Sequence, residues 1–174
     1  MSKISLGLAN KNPLNIRFSP MNTWKGQIGS RKGFCVFDSF EHGFRAAFVL
    51  LHNYIRRDYD TVFEIVSRWA PASENDTKSY IRYVVDHLRI VDGDTFSRVT
   101  SDTIFPSYGS RECAYSIAWL AFVMCCFECG LSSSGKADVY SALRDYCWKA
   151  FEDWHFELFH DNKYCKPELC VTLP

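Results

Sequence analysis

Residues 113–130 read CAYSIAWLAFVMCCFECG, and the rest of the chain must fold around this stretch. Residues 114–127 include no charged side chain. A helix that is apolar on every side is normally buried on every side. The uncharged run is shorter than the roughly 20 residues that cross a bilayer, so it predicts a core helix and no membrane span. Glu128 then places a single carboxylate at the end of this buried helix.

The composition is that of one globular domain. The chain has 174 residues, 47% of them hydrophobic and 16% aromatic. A domain of this length can bury roughly 70% of its unfolded surface without a metal or a disulfide. The 20 basic and 20 acidic residues cancel, whereas nucleic-acid binders usually show a clustered basic excess, so no nucleic-acid partner is expected. The N-terminal sequence lacks the apolar core of a secretory signal, so we expect synthesis in the cytoplasm.

Eight cysteines are present, and four of them lie on the apolar stretch, where free thiols behave as small hydrophobic groups. Without a secretory signal, free thiols are favoured over a disulfide framework. A zinc site is the alternative, and its candidate ligands are Cys126, Cys129, His155, His160, Cys165 and Cys170. Structural zinc sites usually present paired ligands on turns, whereas this CxxC lies inside an apolar helix. The sequence therefore predicts no metal and no other cofactor.

The remaining patterns predict a mainly α fold with a small β element near the N-terminus, in a single domain over residues 1–174. Short β-prone runs at 16–18 and 33–37 indicate a hairpin or a pair of strands. Ser39, Asp60 and Ser110 are the expected caps of three helices. Helices are expected at about residues 40–56, 60–69, 74–88, 111–129 and 136–159. Residues 93–109 are expected to be irregular, and residues 161–174 to form a C-terminal tail.

No sequence motif identifies the chemistry directly. The chain has no phosphate-binding loop, no GxSxG and no HExxH. Cys35 and five histidines leave cysteine catalysis open, although Cys35 lies in an apolar, strand-like run that is more typical of a core. Glycoside hydrolysis needs an acid in a partly desolvated pocket, and Glu128 at the end of an apolar helix meets that requirement. On the residues alone, a salt-bridged Glu at the end of a core helix is the favoured alternative.

The first half of the chain carries a specific series of short motifs over residues 10 to about 85. They are NPLNIR at 12–17, WKG at 24–26, GFCVF at 33–37, EHGFRA at 41–46, RWAP at 68–71, SENDT at 73–77 and Tyr80. This series resembles phage and prophage proteins that are often described as virion structural proteins. The resemblance implies a phage-associated protein and says little about activity.

The same region resembles, more weakly, the middle of lysozyme-like glucosaminidases and flagellar muramidases. Those enzymes have an Asn-rich turn, a Trp-x-Gly and a short β element. Their catalytic Glu ends a buried helix, is followed by Ser and often Gly, and precedes the Asn turn. Here the pattern FVMCCFECG at 122–130 instead follows the turn at residues 12–17, and Cys129 stands in the place of Ser. We therefore expect a circularly permuted lysozyme-like domain in which Glu128 lies beside this 12–17 turn.

The resemblance implies two catalytic carboxylates. Glu128 would protonate the glycosidic oxygen as general acid. Glu41, with Asp38 as the second choice, would stabilise charge or activate water. Glu41 has a strong alternative interpretation as the anion of a helix N-terminus, where the helix dipole favours a negative charge.

The resemblance also implies residues that bind substrate. They are Asn15, Arg17, Trp24, Trp69 and Tyr80. Asn15 and Arg17 would hold sugar amides or peptide carboxylates, and the three aromatic side chains would stack on sugar rings. Arg17 could equally bind the backbone of residues 74–77, and Trp69 could equally belong to the core. Glu74 and Asp76 are expected to be helix caps.

Two functions follow as expectations. The first is a peptidoglycan-cleaving glycosidase (muramidase, glucosaminidase or lytic transglycosylase) of phage, prophage or antibacterial-effector type, which acts on glycan strands at the bacterial cell wall or in a virion. The second is a non-catalytic virion structural or cell-wall-binding protein on the same frame. A zinc-binding interaction domain is a third, minor alternative. Further expected partners are a virion, a secretion machine or an immunity protein.

Overall fold

A computed structural model describes residues 5–131 and 136–160. Over these ranges the protein is mostly helical, as predicted, with two small antiparallel sheets. The helices are α1 (Leu6–Ala9), α2 (Phe40–Ile55), α3 (Val62–Trp69), α4 (Thr77–His87), α5 (Arg111–Glu128) and α6 (Ala137–His160). None of the described helices is long and apolar enough to span a membrane. The expected tail at 161–174 lies outside the described residues.

Each of the two sheets is a two-stranded hairpin. Strand β1 (Gln27–Arg31) pairs with β2 (Phe34–Phe37) near the N-terminus, where a β element was predicted. Strand β3 (Arg89–Asp92) pairs with β4 (Thr95–Arg98), and β4 falls in the segment that was expected to be irregular. The connecting Gly-Asp pair at 93–94 is a known hairpin signal. The strands on either side are mostly half-buried or exposed and therefore lack a clear alternation of apolar residues.

Helix α5 forms the centre of the core. The Ser110 hydroxyl accepts the N–H of Cys113 at 3.0 Å and caps the helix, as the sequence predicts. Helices α2, α4 and α6 and strand β3 pack around α5. Its side chains are consequently buried on nearly every side, as an uncharged helix requires. The last turn of α5, which carries Glu128, therefore lies at the core of the protein.

Caps set the starts of α2, α3 and α4. Ser39 caps α2 and Asp76 caps α4, each by accepting a backbone N–H of the first turn. Helix α3 is capped by Thr61 and not by the expected Asp60. Thr61 accepts the N–H of Glu64, whose carboxylate accepts the Thr61 N–H in return. This reciprocal capping box satisfies two backbone donors at once and explains the shift by one residue.

Gly43 lets α2 approach the segment that leads into the 12–17 turn. A Cβ atom at this position would lie 2.3 Å from the carbonyl oxygen of Lys11 and 2.7 Å from Cδ of Pro13. Both neighbours belong to constrained backbone or to a proline ring, so neither can rotate away. The close contact fixes the start of the turn against the helix.

Replacing Gly43 with alanine should change the free energy of unfolding in the direction opposite to that of most Gly→Ala substitutions in helices. Gly→Ala inside a helix ordinarily stabilises by about 1 kcal/mol, whereas we expect Gly43→Ala to lower the free energy of unfolding by about 1–3 kcal/mol through overpacking. Chemical denaturation measures the difference. Gly29→Ala, in strand β1, is the control for a glycine without close neighbours, because no atom lies within 4 Å of a Cβ there. A stabilised Gly43→Ala would contradict the close packing of α2 on this segment.

Candidate functional site

Glu128 is the last residue of α5, and the chain turns sharply behind it. Gly130 adopts a left-handed φ of 62° and donates its N–H to the carbonyl of Phe127 at 3.1 Å. The N–H of Leu131 reaches the carbonyl of Cys126 at 2.8 Å. These two bonds form the Schellman motif, which commonly ends a helix at a glycine. The motif fixes the point at which the helix, and with it Glu128, stops.

The buried amide of Asn12 holds the 12–17 turn. Its Nδ2 donates to the carbonyls of Ile16 at 2.9 Å and Cys35 at 3.0 Å, and its Oδ1 accepts the N–H of Ile16 at 2.8 Å. The turn is thereby tied to β2. Within it, Asn15 has a φ of 51°, a left-handed conformation that Asn adopts more readily than most residues.

The structure places Glu128 directly against this turn. Asn15 Nδ2 donates to Glu128 Oε2 at 2.8 Å, and the Tyr80 hydroxyl donates to Oε1 at 3.1 Å. One residue further along, the Cys129 thiol donates to the carbonyl of Pro13 at 3.7 Å. Residues from opposite ends of the sequence therefore meet at one carboxyl group, an arrangement that the catalytic hypothesis required.

Burial raises the pKa of Glu128 above its ordinary value of 4.5, because a desolvated carboxylate loses hydration. Hydrogen bonds from Asn15, Tyr80 and Trp69 favour the charged form and offset part of this increase. Over residues 5–131 and 136–160, no cation forms an ion pair with this carboxylate. A carboxyl group that keeps its proton to higher pH and is solvated by neutral donors has the environment of a general acid.

The hydroxyl of Tyr80 is expected to tune this acid. It lies between Glu128 Oε1 and the carbonyl of Met124, at 3.1 and 3.5 Å. Tyr80→Phe removes a donor to the charged form, so the pKa of Glu128 should rise further. A ¹³C NMR titration of the labelled Glu carboxyl groups measures the shift. The control is Tyr83→Phe, because Tyr83 packs on the same Phe127 ring. An unchanged or lower pKa in Tyr80→Phe would contradict this role.

Glu128 lines an open cleft of about 540 Å³, a volume typical of small-ligand sites. One wall consists of residues 14–17 together with Phe34 of β2. The other consists of residues 68–71 and 74–75, at the end of α3 and in the turn that follows. The cleft thus lies between the N-terminal hairpin region and the α3–α4 connection, with the end of α5 reaching into it.

Two of the predicted aromatic residues line this cleft. Trp24 and Trp69 are both half-buried, so each can pack against the protein and still contact a ligand. The ring of Trp69 lies edge-on to Tyr54 at 6.3 Å. Both interpretations of Trp69, as a packed residue and as a cleft residue, therefore hold.

Arg17 and Glu74 also line the cleft and form an ion pair with each other. Arg17 thus contacts a side chain and not the backbone of residues 74–77. Glu74 does not cap a helix as expected, because Asp76 performs that function for α4. Glu74 is instead the second carboxylate that lines the cleft.

Three of the predicted roles require correction. Glu41 is absent from the lining of the cleft and forms an ion pair with Lys149 at 3.4 Å, because it projects from the first turn of α2 toward α6. Asp38 is likewise outside the cleft, bonded to the His42 ring at 2.6 Å. Tyr80 is only 2% exposed, so it positions Glu128 and has no surface for stacking on a sugar.

Several cleft residues were missed from sequence, among them Arg68 and Tyr54. Arg68 lines the cleft with its guanidinium over the rings of Tyr54 and Tyr59, at 5.4 and 4.6 Å. Arg68 lies in the RWAP motif, which offered a signal. Tyr54 lies near the end of α2 and also lines the cleft, but it carried no signal because it fits the apolar pattern of that helix.

No metal-binding arrangement is seen over residues 5–131 and 136–160, where no cluster of three or more candidate ligands occurs. The six cysteines in these ranges are free and buried. Cys126 and Cys129 both belong to the core. Cys165, Cys170 and the side chain of His160 lie outside the described residues.

Comparison with known proteins identifies a phage relative. No protein-family model matches the chain. The chain is 30% identical over 125 residues to "Protein P5" of Pseudoalteromonas phage PM2. The aligned region covers 66% of this chain and 78% of that protein, whose name states no activity. This relative supports the expected association with a phage. The chain therefore belongs to the same family as Protein P5 of Pseudoalteromonas phage PM2.

Proposed function

We propose that the protein cleaves the glycan strands of peptidoglycan, as a muramidase, a glucosaminidase or a lytic transglycosylase, with Glu128 as its acid. One observation carries the proposal: the half-buried carboxyl of Glu128, with a raised pKa, lies in an open cleft and accepts hydrogen bonds from neutral donors. A carboxyl that served only as a salt-bridged helix end would have a cationic partner, and none pairs with it among the described residues.

The proton of Glu128 would pass to the glycosidic oxygen as the bond between that oxygen and the anomeric carbon breaks. The carboxylate left behind is stabilised by Asn15 and Tyr80, whose bonds to it strengthen as the negative charge develops. Interactions that are stronger in the transition state than in the ground state accelerate the reaction. Trp24 and Trp69 would hold sugar rings on either side of the acid.

The carboxylates of the cleft favour a particular class of mechanism. Glu74 is exposed and paired with Arg17, so it is poorly suited to act as a nucleophile in a desolvated site. With one half-buried acid in the cleft, the acetamido oxygen of the substrate can attack the anomeric carbon as the glycosidic bond breaks, as in substrate-assisted glycosidases. In the second step an incoming oxygen bonds to the anomeric carbon, the acetamido oxygen leaves that carbon, and Glu128 takes the proton of the incoming oxygen. A water molecule as the incoming group gives hydrolysis, and a hydroxyl of the same sugar gives transglycosylation.

We further propose that the fold is a circularly permuted lysozyme-like domain. The hydrogen bond between Asn15 and Glu128 supports this frame, because it joins an acidic helix end to an Asn turn in the reverse order along the chain. The protein would act at the bacterial cell wall or within a virion. Its membership of a phage protein family supports that setting.

Digestion of purified sacculi tests the proposal. The wild-type protein should release soluble muropeptides, and mass spectrometry of the products identifies the reaction. Products with reducing ends indicate hydrolysis, and products with an internal anhydro ring indicate transglycosylation. If nothing soluble is released although the protein binds sacculi, the enzyme proposal fails and a non-catalytic wall-binding or virion role takes its place.

A further inference from the structure

The ion pair between Arg17 and Glu74 joins the two walls of the cleft. Arg17 belongs to the 12–17 turn, whereas Glu74 belongs to the connection between α3 and α4. Both side chains line the cleft that holds Glu128. A ligand that occupies this cleft must therefore pass under the pair or separate it.

This pair is easily separated. The side chains of Arg17 and Glu74 are 70% and 53% exposed. Exposed ion pairs of this kind typically stabilise a protein by at most about 1 kcal/mol, so exchange of one carboxylate for another at Arg17 has little energetic penalty. Stabilisation of the fold is therefore a poor explanation for the ion pair between Arg17 and Glu74.

Arg17 is a cleft cation that a ligand can reach. Its guanidinium lies 5.9 Å from the centre of the Phe34 ring, on its own wall of the cleft, so the ring can keep it there when Glu74 leaves. The other arginine of the cleft, Arg68, has its guanidinium over the rings of Tyr54 and Tyr59. A guanidinium can donate two parallel hydrogen bonds to a carboxylate, so Arg17 is suited to bind one.

We propose that Arg17 is a subsite for a carboxylate of the peptide stem, and that Glu74 occupies this subsite until the substrate displaces it. This inference rests on the proposed function. Peptidoglycan differs from an unsubstituted amino-sugar chain in carrying short peptides that end in carboxylates. Arg17 would therefore distinguish a peptide-bearing glycan from a bare one, while Trp24 and Trp69 contact the sugars of either.

Two soluble probes test the subsite by isothermal titration calorimetry: a disaccharide–tetrapeptide from peptidoglycan, and a disaccharide of two N-acetylglucosamine units, which has neither a lactyl carboxylate nor a peptide. The wild-type protein should bind the peptide-bearing probe about threefold to tenfold more tightly, the range expected of one exposed charge-assisted contact. Raising the salt concentration should reduce this preference, because the contact is exposed.

Two variants separate the contributions of Arg17 and Glu74, and a third serves as the control. Arg17→Gln should abolish the preference, because it weakens the binding of the peptide-bearing probe alone. Glu74→Gln should strengthen binding of that probe by about threefold, because no internal carboxylate competes for Arg17. Asp145→Asn is the matched control, since Asp145 forms an equally exposed pair with Arg144 on α6, away from the cleft. It should leave both affinities unchanged.

The outcomes distinguish this inference from the proposed function. Equal binding of the two probes by the wild type, or an undiminished preference in Arg17→Gln, overturns the subsite and leaves the glycan-binding cleft intact. Weaker binding of the peptide-bearing probe by Glu74→Gln overturns the competition between Glu74 and the substrate. Failure to bind either probe overturns the subsite together with the proposed substrate class.

Discussion

Glu128→Gln is expected to reduce the release of muropeptides from sacculi by about 10²–10⁴-fold, the range for loss of a general acid. Glutamine has nearly the same shape and still accepts hydrogen bonds, but it has no proton to give to the glycosidic oxygen. The amide oxygen can still accept from Asn15, and the Tyr80 hydroxyl can accept from the amide NH2 and donate to the carbonyl of Met124, so the cleft should retain its geometry. Initial rates of muropeptide release, followed by chromatography, measure the effect.

The same change at Glu41 is the control. Glu41→Gln removes a carboxylate that pairs with Lys149 outside the cleft, so the release rate should stay within about twofold of the wild type. Undiminished release by Glu128→Gln would remove Glu128 from the mechanism. A large loss in Glu41→Gln would restore it as the second carboxylate.

The raised pKa of Glu128 also predicts a stability signature that needs no substrate. The unfolded chain releases this proton near the ordinary value of 4.5, whereas the folded protein holds it to higher pH. This group therefore favours folding below about pH 4.5, and the contribution is lost as the pH rises through the folded pKa. Because Glu128→Gln does not titrate, its free energy of unfolding relative to the wild type should increase from about pH 4.5 upward.

The meeting of Glu128 with Asn15 was predictable because two strong signals converge on it. An uncharged helix has to be central, so its terminal charge has to lie near the core. Asn15 belongs to a motif that resembles the Asn turn of lysozyme-like enzymes, and this resemblance led us to expect an acid beside it. Neither signal depends on the direction of a side chain or on the exact residue at which a helix begins or ends.

The second carboxylate was mispredicted because its assignment depends on side-chain direction. Glu41 and Glu74 both precede or begin a helix, and both fit the acidic pattern of a helix N-terminus. Packing of α2 on α6 brings Glu41 to Lys149, whereas the turn after Pro71 directs Glu74 into the cleft. These directions follow from tertiary packing, which the local pattern does not contain. Tyr80 was misassigned for the same reason: its motif indicated the site and not the depth of burial.

The turn that carries Asn15 should depend on the buried amide of Asn12. Asn12→Ala is expected to lower the free energy of unfolding by about 2–4 kcal/mol, because the N–H of Ile16 loses its acceptor and the carbonyls of Ile16 and Cys35 lose a donor in a buried site. Denaturation in urea or guanidinium measures the loss. Asn22→Ala is the control, since Asn22 is exposed, and it should change stability by less than about 0.5 kcal/mol.

The same substitution should also affect the acid. Without its side chain, Asn12 no longer bonds to β2 or to Ile16, so the left-handed geometry that aims Asn15 Nδ2 at Glu128 should be held less firmly. Loss of that donor removes a bond that favours the carboxylate, so the pKa of Glu128 should rise in Asn12→Ala while the variant is still folded. Titration of Glu128 below the unfolding transition measures this change. A destabilised variant with an unchanged Glu128 pKa would mean that α5 alone holds Asn15 in place, and that the turn is a passive part of the site.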